Sequence, residues 1–357
     1  MRILEVIPLL SIDGGAESFV VYLCNELIRQ GHECAILTLY DVAKDVIKGV
    51  SLSHEVKHYS ANKKKGIDLA LEVRVRSVIK AYRPDVVHVH VGAIPYITLS
   101  ALTYRNCKYF ATIHSEARRE AGGNYTKWSR QFLFKTNLVT AITISENSQK
   151  SFEDFYRVKP ALIYNGVPSL TTEKIKDYHD TIRFIHVARC HPVKNQELLL
   201  KAFSRILKKH SKVELVWYGT STEYPVLFET LKTLLNDKIH YMGSTKDARG
   251  EMMKADALCL SSKIEGMPMT IIEALSVGCV PICTPVGGCI NMIKDGYNGF
   301  LAADMSIDAY SNAIERFISL TTEERQRLRQ NAIVSFNNNF SIEKTVTDYL
   351  TLFASIK

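Results

Sequence analysis

Twice along this 357-residue chain, apolar runs of strand length alternate with stretches whose apolar residues recur at helical spacing. Residues 2–8 (RILEVIP) are the first run, followed by the polar loop SIDGG. Ala16, Phe19, Val20, Leu23, Cys24 and Leu27 then fall on one helix face, Gly31 stands where a C-cap glycine belongs, and CAILTLY supplies a second strand. A helix between two such strands implies a right-handed crossover and a parallel sheet. The alternation continues with a helix ended near Pro84, a strand from Val86 to Val91, and strands at 108–113 and 138–145. It stops over the polar, aperiodic stretch 165–181 and restarts with RFIHVAR, NQELLLKAFSRILKKH and VELVWYG. Helix–strand alternation then runs to VPICTP, helices are expected across 306–335, and the segment 341–357 is amphipathic. The reading is α/β, with two Rossmann-like domains at 1–165 and 181–340, joined by a linker at 166–180. In such sheets ligands bind outside the carboxyl ends of the strands, near helix N-termini.

Composition removes several classes. Charged residues make up 23% of the chain and hydrophobic ones 46%, which suits a globular protein and not a disordered one. No run approaches the ~18 apolar residues of a membrane span, and MRILEVIPLL is too short for a secretory signal. A cytoplasmic protein is expected. The eight cysteines include no C-x-x-C pair and no zinc spacing, so buried, reduced thiols are the expectation. The net charge of +8 is spread along the chain rather than gathered in a stripe, and no motif points to nucleic acid. Lys63, Lys64 and Lys65 read as a solvated loop.

Within this frame, some segments carry chemistry. In DGGAES, Gly14 and Gly15 would let backbone approach an anion at a helix N-terminus, or would simply make a tight turn. Neither G-x-G-x-x-G nor G-x-x-x-x-G-K-[ST] occurs. Arg189 and Lys194 follow the strand RFIHVAR, where two cations could neutralise a diphosphate or stand as solvated charges. In EGMPMTIIE, Glu265 and Glu273 bracket a loop and the first turns of a helix, with Gly266 and Pro268 shaping the loop and Thr270 at the helix start. Carboxylates suit vicinal hydroxyls, and free N–H groups at a helix start suit phosphate. His114 follows the strand KYFATI at its carboxyl end, available to a substrate hydroxyl or to local backbone. His88 and His90 share one face of a strand; no third metal ligand is evident nearby, so structural packing is expected.

Taken in order, these segments resemble glycosyltransferase family 4, the retaining, nucleotide-sugar-dependent enzymes of the GT-B fold found in bacterial surface polysaccharide synthesis. The resemblance is carried by DGGAES, TIHS at 112–115, YNGVP at 164–168, VARCHPVKNQELLLKAF at 187–203, VWYGTS, IHYMGST and SSKIEGMPMTIIEALSVGCVPICTPVGG at 261–288. It spans essentially the whole chain, and E-x(7)-E followed by EALSVGCVPI is its specific part. It implies two domains facing across a cleft, with a C-terminal helix, 341–357, crossing back to the N-terminal domain. Gly14 and Gly15 would meet the donor phosphates, while Arg189 and Lys194 would bind the diphosphate and stabilise the leaving group. Glu265 would contact the transferred sugar, Gly266, Met267, Pro268, Met269 and Thr270 would line sugar and phosphate, and Glu273 would hold the ribose. Met242 and Gly243 would meet the base, and His114 would lie beside the anomeric centre.

The implied function is transfer of a hexosyl or N-acetylhexosaminyl group, a UDP-sugar being favoured, to a hydroxyl of a glycan or lipid-linked glycan. No D-x-D triplet occurs, and neither metal nor cofactor is expected. A sugar-nucleotide epimerase or a non-catalytic nucleotide-sugar-binding module is the alternative. Residues 1–165 hold 22 basic and 16 acidic residues, and the remainder 23 and 21. The basic excess therefore lies on the implied acceptor side, pointing to an acceptor phosphate or to peripheral contact with an anionic membrane.

Overall fold

In the computed structural model, which describes residues 1–11, 14–42, 51–66, 68, 70–170 and 180–355, every pair of neighbouring strands in the two sheets runs parallel. One unit comprises Met1–Pro168 with Ile342–Lys357, and the other Ser169–Ser341. Residues 171–179 of the expected linker lie outside the described residues.

The first unit holds β1 (Arg2–Ile7), β2 (Glu33–Thr38), β3 (Lys57–Ser60), β4 (Val86–His90), β5 (Lys108–Ile113), β6 (Thr140–Thr143) and β7 (Ala161–Leu162). Their order is β3-β2-β1-β4-β5-β6-β7. The chain builds outward from β1 in one direction, then returns to β1's other side with β4. That reversal opens the crevice in which such sheets bind ligands. Strands covered on both faces read as continuous apolar runs, which is why RILEVI and VVHVH are buried almost throughout. The polar members of these runs, Glu5, His88 and His90, are fully buried.

Helix Gly15–Arg29 crosses from β1 to β2 and buries Phe19, Val20, Leu23, Cys24 and Leu27. Helix Leu71–Tyr82 ends where Arg83 turns left-handed at φ 53°, one residue before Pro84, because proline disfavours the α conformation in the residue ahead of it. The strand expected over 138–145 is only four residues long, because Ser145 accepts the Ser148 N–H and caps the helix Glu146–Tyr156. That helix, the helix Asn124–Lys135 and the 3₁₀ turn Val91–Ile97 went unread in the sequence, their apolar spacing being interrupted by polar residues or Pro95. The C-terminal helix Ile342–Ser355 belongs to the first unit, as the resemblance implies. Ile342 N–H donates to Val167 O at 3.0 Å, Lys108 Nζ to Phe353 O at 2.9 Å, and the Phe110 and Phe353 rings stand 4.6 Å apart.

The second unit holds β8 (Ile182–Val187), β9 (Val213–Tyr218), β10 (Ile239–Tyr241), β11 (Ala257–Leu260), β12 (Val280–Cys283) and β13 (Phe300–Leu301), in the order β10-β9-β8-β11-β12-β13. The reversal falls at β8, between β9 and β11. Its core gathers Phe184, Phe203, Trp217, Tyr310 and Phe317. All eight cysteines are free thiols, seven of them buried. Among the described residues, no helix is long and apolar enough to cross a membrane.

Candidate active site

In the second unit, the loops that leave β8 and β11 at the strand-order reversal meet through one ion pair. Lys194 Nζ lies 2.7 Å from Glu265 Oε1, and the same oxygen accepts from Ser262 Oγ at 2.5 Å. Glycine lets backbone close on each of the two loops. A Cβ on Gly219, after β9, would stand 1.9 Å from Ala188 O, and one on Gly287 (φ 50°) would stand 1.7 Å from Glu265 O. The loop after β8 is further ordered by Gln196 Nε2 donating to Arg189 O at 2.9 Å and by Val193 N–H donating to His191 Nδ1 at 3.0 Å. Asn195 sits left-handed (φ 51°) before the helix Gln196–Leu207, and Ser261 Oγ donates to Lys194 O at 3.0 Å.

Arg189 is not drawn into that pair. Its half-exposed guanidinium donates to Glu223 Oε2 at 2.7 Å. An exposed pair of this kind is worth ~0–1 kcal/mol, so an incoming anion can replace Glu223 at little cost. Gly266 O accepts from Gly288 N–H at 2.7 Å, and Met267 is buried. Pro268 is the N-cap of the helix Met269–Ser276, which no side chain caps; Thr270 is its second residue. Glu273 lies one turn on, where burial pushes its carboxyl up to about 7 against the pull of Arg249. After β10, Met242 is exposed and Gly243 O accepts from Gly219 N–H at 2.8 Å, so this loop is tied to the loop after β9.

In the first unit, Gly14 is the N-cap of the helix Gly15–Arg29, again without a side-chain cap; Ile12 and Asp13 lie outside the described residues. His114 follows β5. Its backbone N–H donates to Glu120 Oε2 at 2.9 Å, and Glu120 Oε1 takes Arg130 at 3.4 Å. Arg130 is buried and also donates to Val91 O at 2.7 Å, where Val91 is held left-handed at φ 44°. A β-branched residue in that region is strained and persists only where its surroundings fix it.

The two strand histidines correct the expectation of mere packing without a third partner. Glu5, on the adjacent strand β1, places Oε2 2.6 Å from His90 Nε2 and 2.9 Å from His88 Nδ1. The first is a hydrogen bond and the second a close contact without hydrogen-bond geometry, and both are shorter than the roughly 3.3 Å between ligand atoms on one tetrahedral zinc with ~2.0–2.1 Å bonds. Burial opposes ionisation of Glu5, but the two rings bring its carboxyl down to about 2. His90 Nδ1 in turn faces His114 Nε2 at 3.0 Å. His88 Nε2 faces Thr112 Oγ1 at 2.7 Å, and that hydroxyl meets the Tyr349 hydroxyl at 3.0 Å. Burial, and then the neighbouring His90 and His88, push His114 well below the usual imidazole range. Glu5, Arg130 and Glu223 went unread in the sequence because each meets a partner 34 or more residues away, whereas Ser262 and Glu120 stand three and six residues from theirs in short segments without a periodic signal.

Comparison with known proteins bears on both units. Residues 13–169 match the family model described as Glycosyltransferase Family 4, and residues 171–335 the one described as Glycosyl transferases group 1. The chain is similar to N-acetyl-alpha-D-glucosaminyl L-malate synthase of Bacillus anthracis, 23% identical over 96% of this chain and 94% of that protein. It is also similar to the UDP-Gal:alpha-D-GlcNAc-diphosphoundecaprenol alpha-1,3-galactosyltransferase of Escherichia coli, 23% identical over 80% and 79%. Among solved structures, Anabaena Alr3699/HepE in complex with UDP matches with a TM-score of 0.81 over 100% of both chains at 18% identity.

Proposed function

Because this chain belongs to glycosyltransferase family 4, we propose that it is a retaining transferase moving a hexosyl or N-acetylhexosaminyl group from a UDP-sugar to a hydroxyl of a glycan or lipid-linked glycan. The observation that carries the reading is the Lys194–Glu265 pair, set beside the uncapped start of the helix Met269–Ser276. A half-buried ammonium and free helix N–H groups suit the charge that grows on a departing diphosphate. Glu265, already an acceptor for Lys194 and Ser262, has the chemistry to take sugar hydroxyls, and Glu273 to take those of a ribose. Arg189 would exchange Glu223 for the diphosphate. Met242 and Gly243 would meet the base, Gly14 and Gly15 the phosphates, and His114 the transferred sugar. The UDP bound by the Anabaena protein and the UDP-sugar named for the Escherichia coli enzyme support the choice of donor.

In this reading the anomeric carbon–phosphate oxygen bond breaks as the acceptor oxygen bonds to the same face, and the acceptor's proton passes to the departing diphosphate. The absence of a D-x-D triplet supports a metal-independent reaction, and unchanged turnover in a chelator is the expected result. The basic excess of residues 1–165 supports peripheral attachment to an anionic surface, to be read as salt-sensitive co-sedimentation with anionic vesicles. The principal test is a thermal-shift screen against UDP-, GDP- and ADP-sugars, followed by NMR of the product's anomeric configuration. Stabilisation by a UDP-sugar and retained configuration are expected. Inversion, or epimerisation of donor without acceptor, would overturn the reading.

A further inference from the structure

A buried line of polar side chains runs behind His114, from Glu5 through His90, and it leaves a single choice for where the protons sit. Two imidazole nitrogens converge on one oxygen, Glu5 Oε2, at 2.6 and 2.9 Å. An ionised carboxylate oxygen only accepts, so His90 carries its proton on Nε2. Burial, and then the neighbouring His88, push His90 down to about 4, so the ring is neutral and presents a bare Nδ1; the nitrogen facing it at 3.0 Å, His114 Nε2, must then be the donor. The remaining ring nitrogen, His114 Nδ1, is buried and has no hydrogen-bond partner among the described residues. Leaving a buried polar atom unpaired costs about 1–3 kcal/mol, a cost that a ligand hydroxyl would remove once a small shift of the ring or of the groups covering it exposes the atom.

We propose that Glu5 and His90 are positioning residues that fix the His114 imidazole as the tautomer protonated on Nε2, so that Nδ1 is presented as an acceptor to a sugar hydroxyl. The role of the sugar rests on the function proposed above; the tautomer does not. In this arrangement His114 is a neutral acceptor, not a cation facing phosphate. No proton is transferred: the hydroxyl keeps its hydrogen and shares it with Nδ1.

The surroundings of the ring hold it in place. Phe19 meets it edge-on at 5.9 Å, and the His90 ring lies 5.2 Å away. The other titratable or charged groups near it are His88 beside His90, Tyr349 behind Thr112, and Glu120 on the His114 backbone N–H with Arg130 on Glu120. The mutual arrangement of Glu5, His90 and His114 follows from strand register. Glu5 pairs with His88 across β1 and β4, and His90 pairs with Thr112 across β4 and β5, which sets His114 two residues further along the same face.

The experiment is long-range proton–nitrogen NMR on ligand-free protein carrying ring-labelled histidine, with His114 assigned through His114→Gln. A protonated Nε2 and a bare Nδ1, unchanged between about pH 5 and 8, are expected. A proton on Nδ1, or an imidazolium appearing in that range, would overturn the proposal. Glu5→Gln, nearly isosteric, is expected to mix the two tautomers and to lower turnover roughly tenfold, the loss of about one hydrogen bond. A folded Glu5→Gln protein that keeps both the tautomer and full turnover would also overturn it. Beyond the His114→Gln protein used for assignment, the wild-type spectrum needs no further variant and no transfer activity. If no nucleotide sugar is turned over while the expected tautomer is seen, the transferase reading fails and the tautomer assignment stands.

Discussion

Lys194 and Glu265, 71 residues apart in the chain, stand 2.7 Å from each other at the ends of the loops that leave β8 and β11. Each was expected to serve a different part of a donor, the cation its diphosphate and the carboxylate its sugar. In the proposed function their pairing would join the two tasks, since a group that moves one moves the other. It also holds the cation partly buried and the carboxylate almost fully buried.

Lys194→Ala is therefore expected to do two kinds of damage. It removes the positive charge and leaves Glu265, whose side chain is only 9% exposed, without its cation. Turnover should fall by about 10²–10³-fold, the usual effect of losing one preorganised stabiliser of developing charge. Steady-state kinetics and a melting curve separate this from simple unfolding. Near-native turnover would remove Lys194 from the mechanism.

Arg189 poses the opposite case. Its pair with Glu223 is exposed, so Glu223→Ala should change stability by less than ~1 kcal/mol while freeing the guanidinium. If Arg189 binds the diphosphate, UDP affinity should rise or hold in Glu223→Ala and fall in Arg189→Ala. Calorimetric titration of UDP into both variants checks the sign. Equal affinity in the two would show that Arg189 does not touch the nucleotide.

Gly287→Ala is expected to be costly far beyond the loss of one hydrogen atom. The new Cβ would meet Glu265 O at 1.7 Å, at a backbone φ of 50° that alanine adopts only with strain. A loss of at least ~2 kcal/mol in urea unfolding is expected, together with turnover, because the displaced carbonyl belongs to Glu265 itself.

Glu273 should make stability depend on pH. Its carboxyl is raised by burial from 4.5 to about 7, so between those values the folded chain holds a proton that the unfolded chain has lost. Stability from this group is fully present below about 4.5, declines as pH rises toward 7, and is lost above it. Glu273→Gln should remove that decline, making the variant relatively more stable at pH 8 than at pH 5. Urea midpoints across the range measure it; parallel curves for the two proteins would contradict the assignment.

The C-terminal helix should prove inseparable from the first unit. Phe353 packs on Phe110 and is almost fully buried, so Phe353→Ala is expected to cost about 3–5 kcal/mol. Tyr349→Phe, which removes only the hydroxyl that meets Thr112, should cost about 1 kcal/mol. A broad difference between the two in thermal unfolding is the expected outcome.

What the sequence determined by itself is what depends on short stretches of chain. The period switching between strand and helix, the restart after residue 181, and the loops that follow VIP, VAR, ATI and CLSS are all local, and they define an α/β chain with ligand loops at its strand ends. The run EGMPMTIIEALSVGCVPI carries the family within eighteen residues. Tertiary structure alone decided which charges meet. Lys194 reaches Glu265, His90 reaches Glu5 across 85 positions, and Arg189 turns to Glu223. His88 and His90 read as packing because their partner lies on another strand, and a parallel sheet joins strands only through long crossovers. Hydrophobic periodicity is written along the chain, whereas the pairing of buried polar groups is written in register, and register exists only once the sheet has formed.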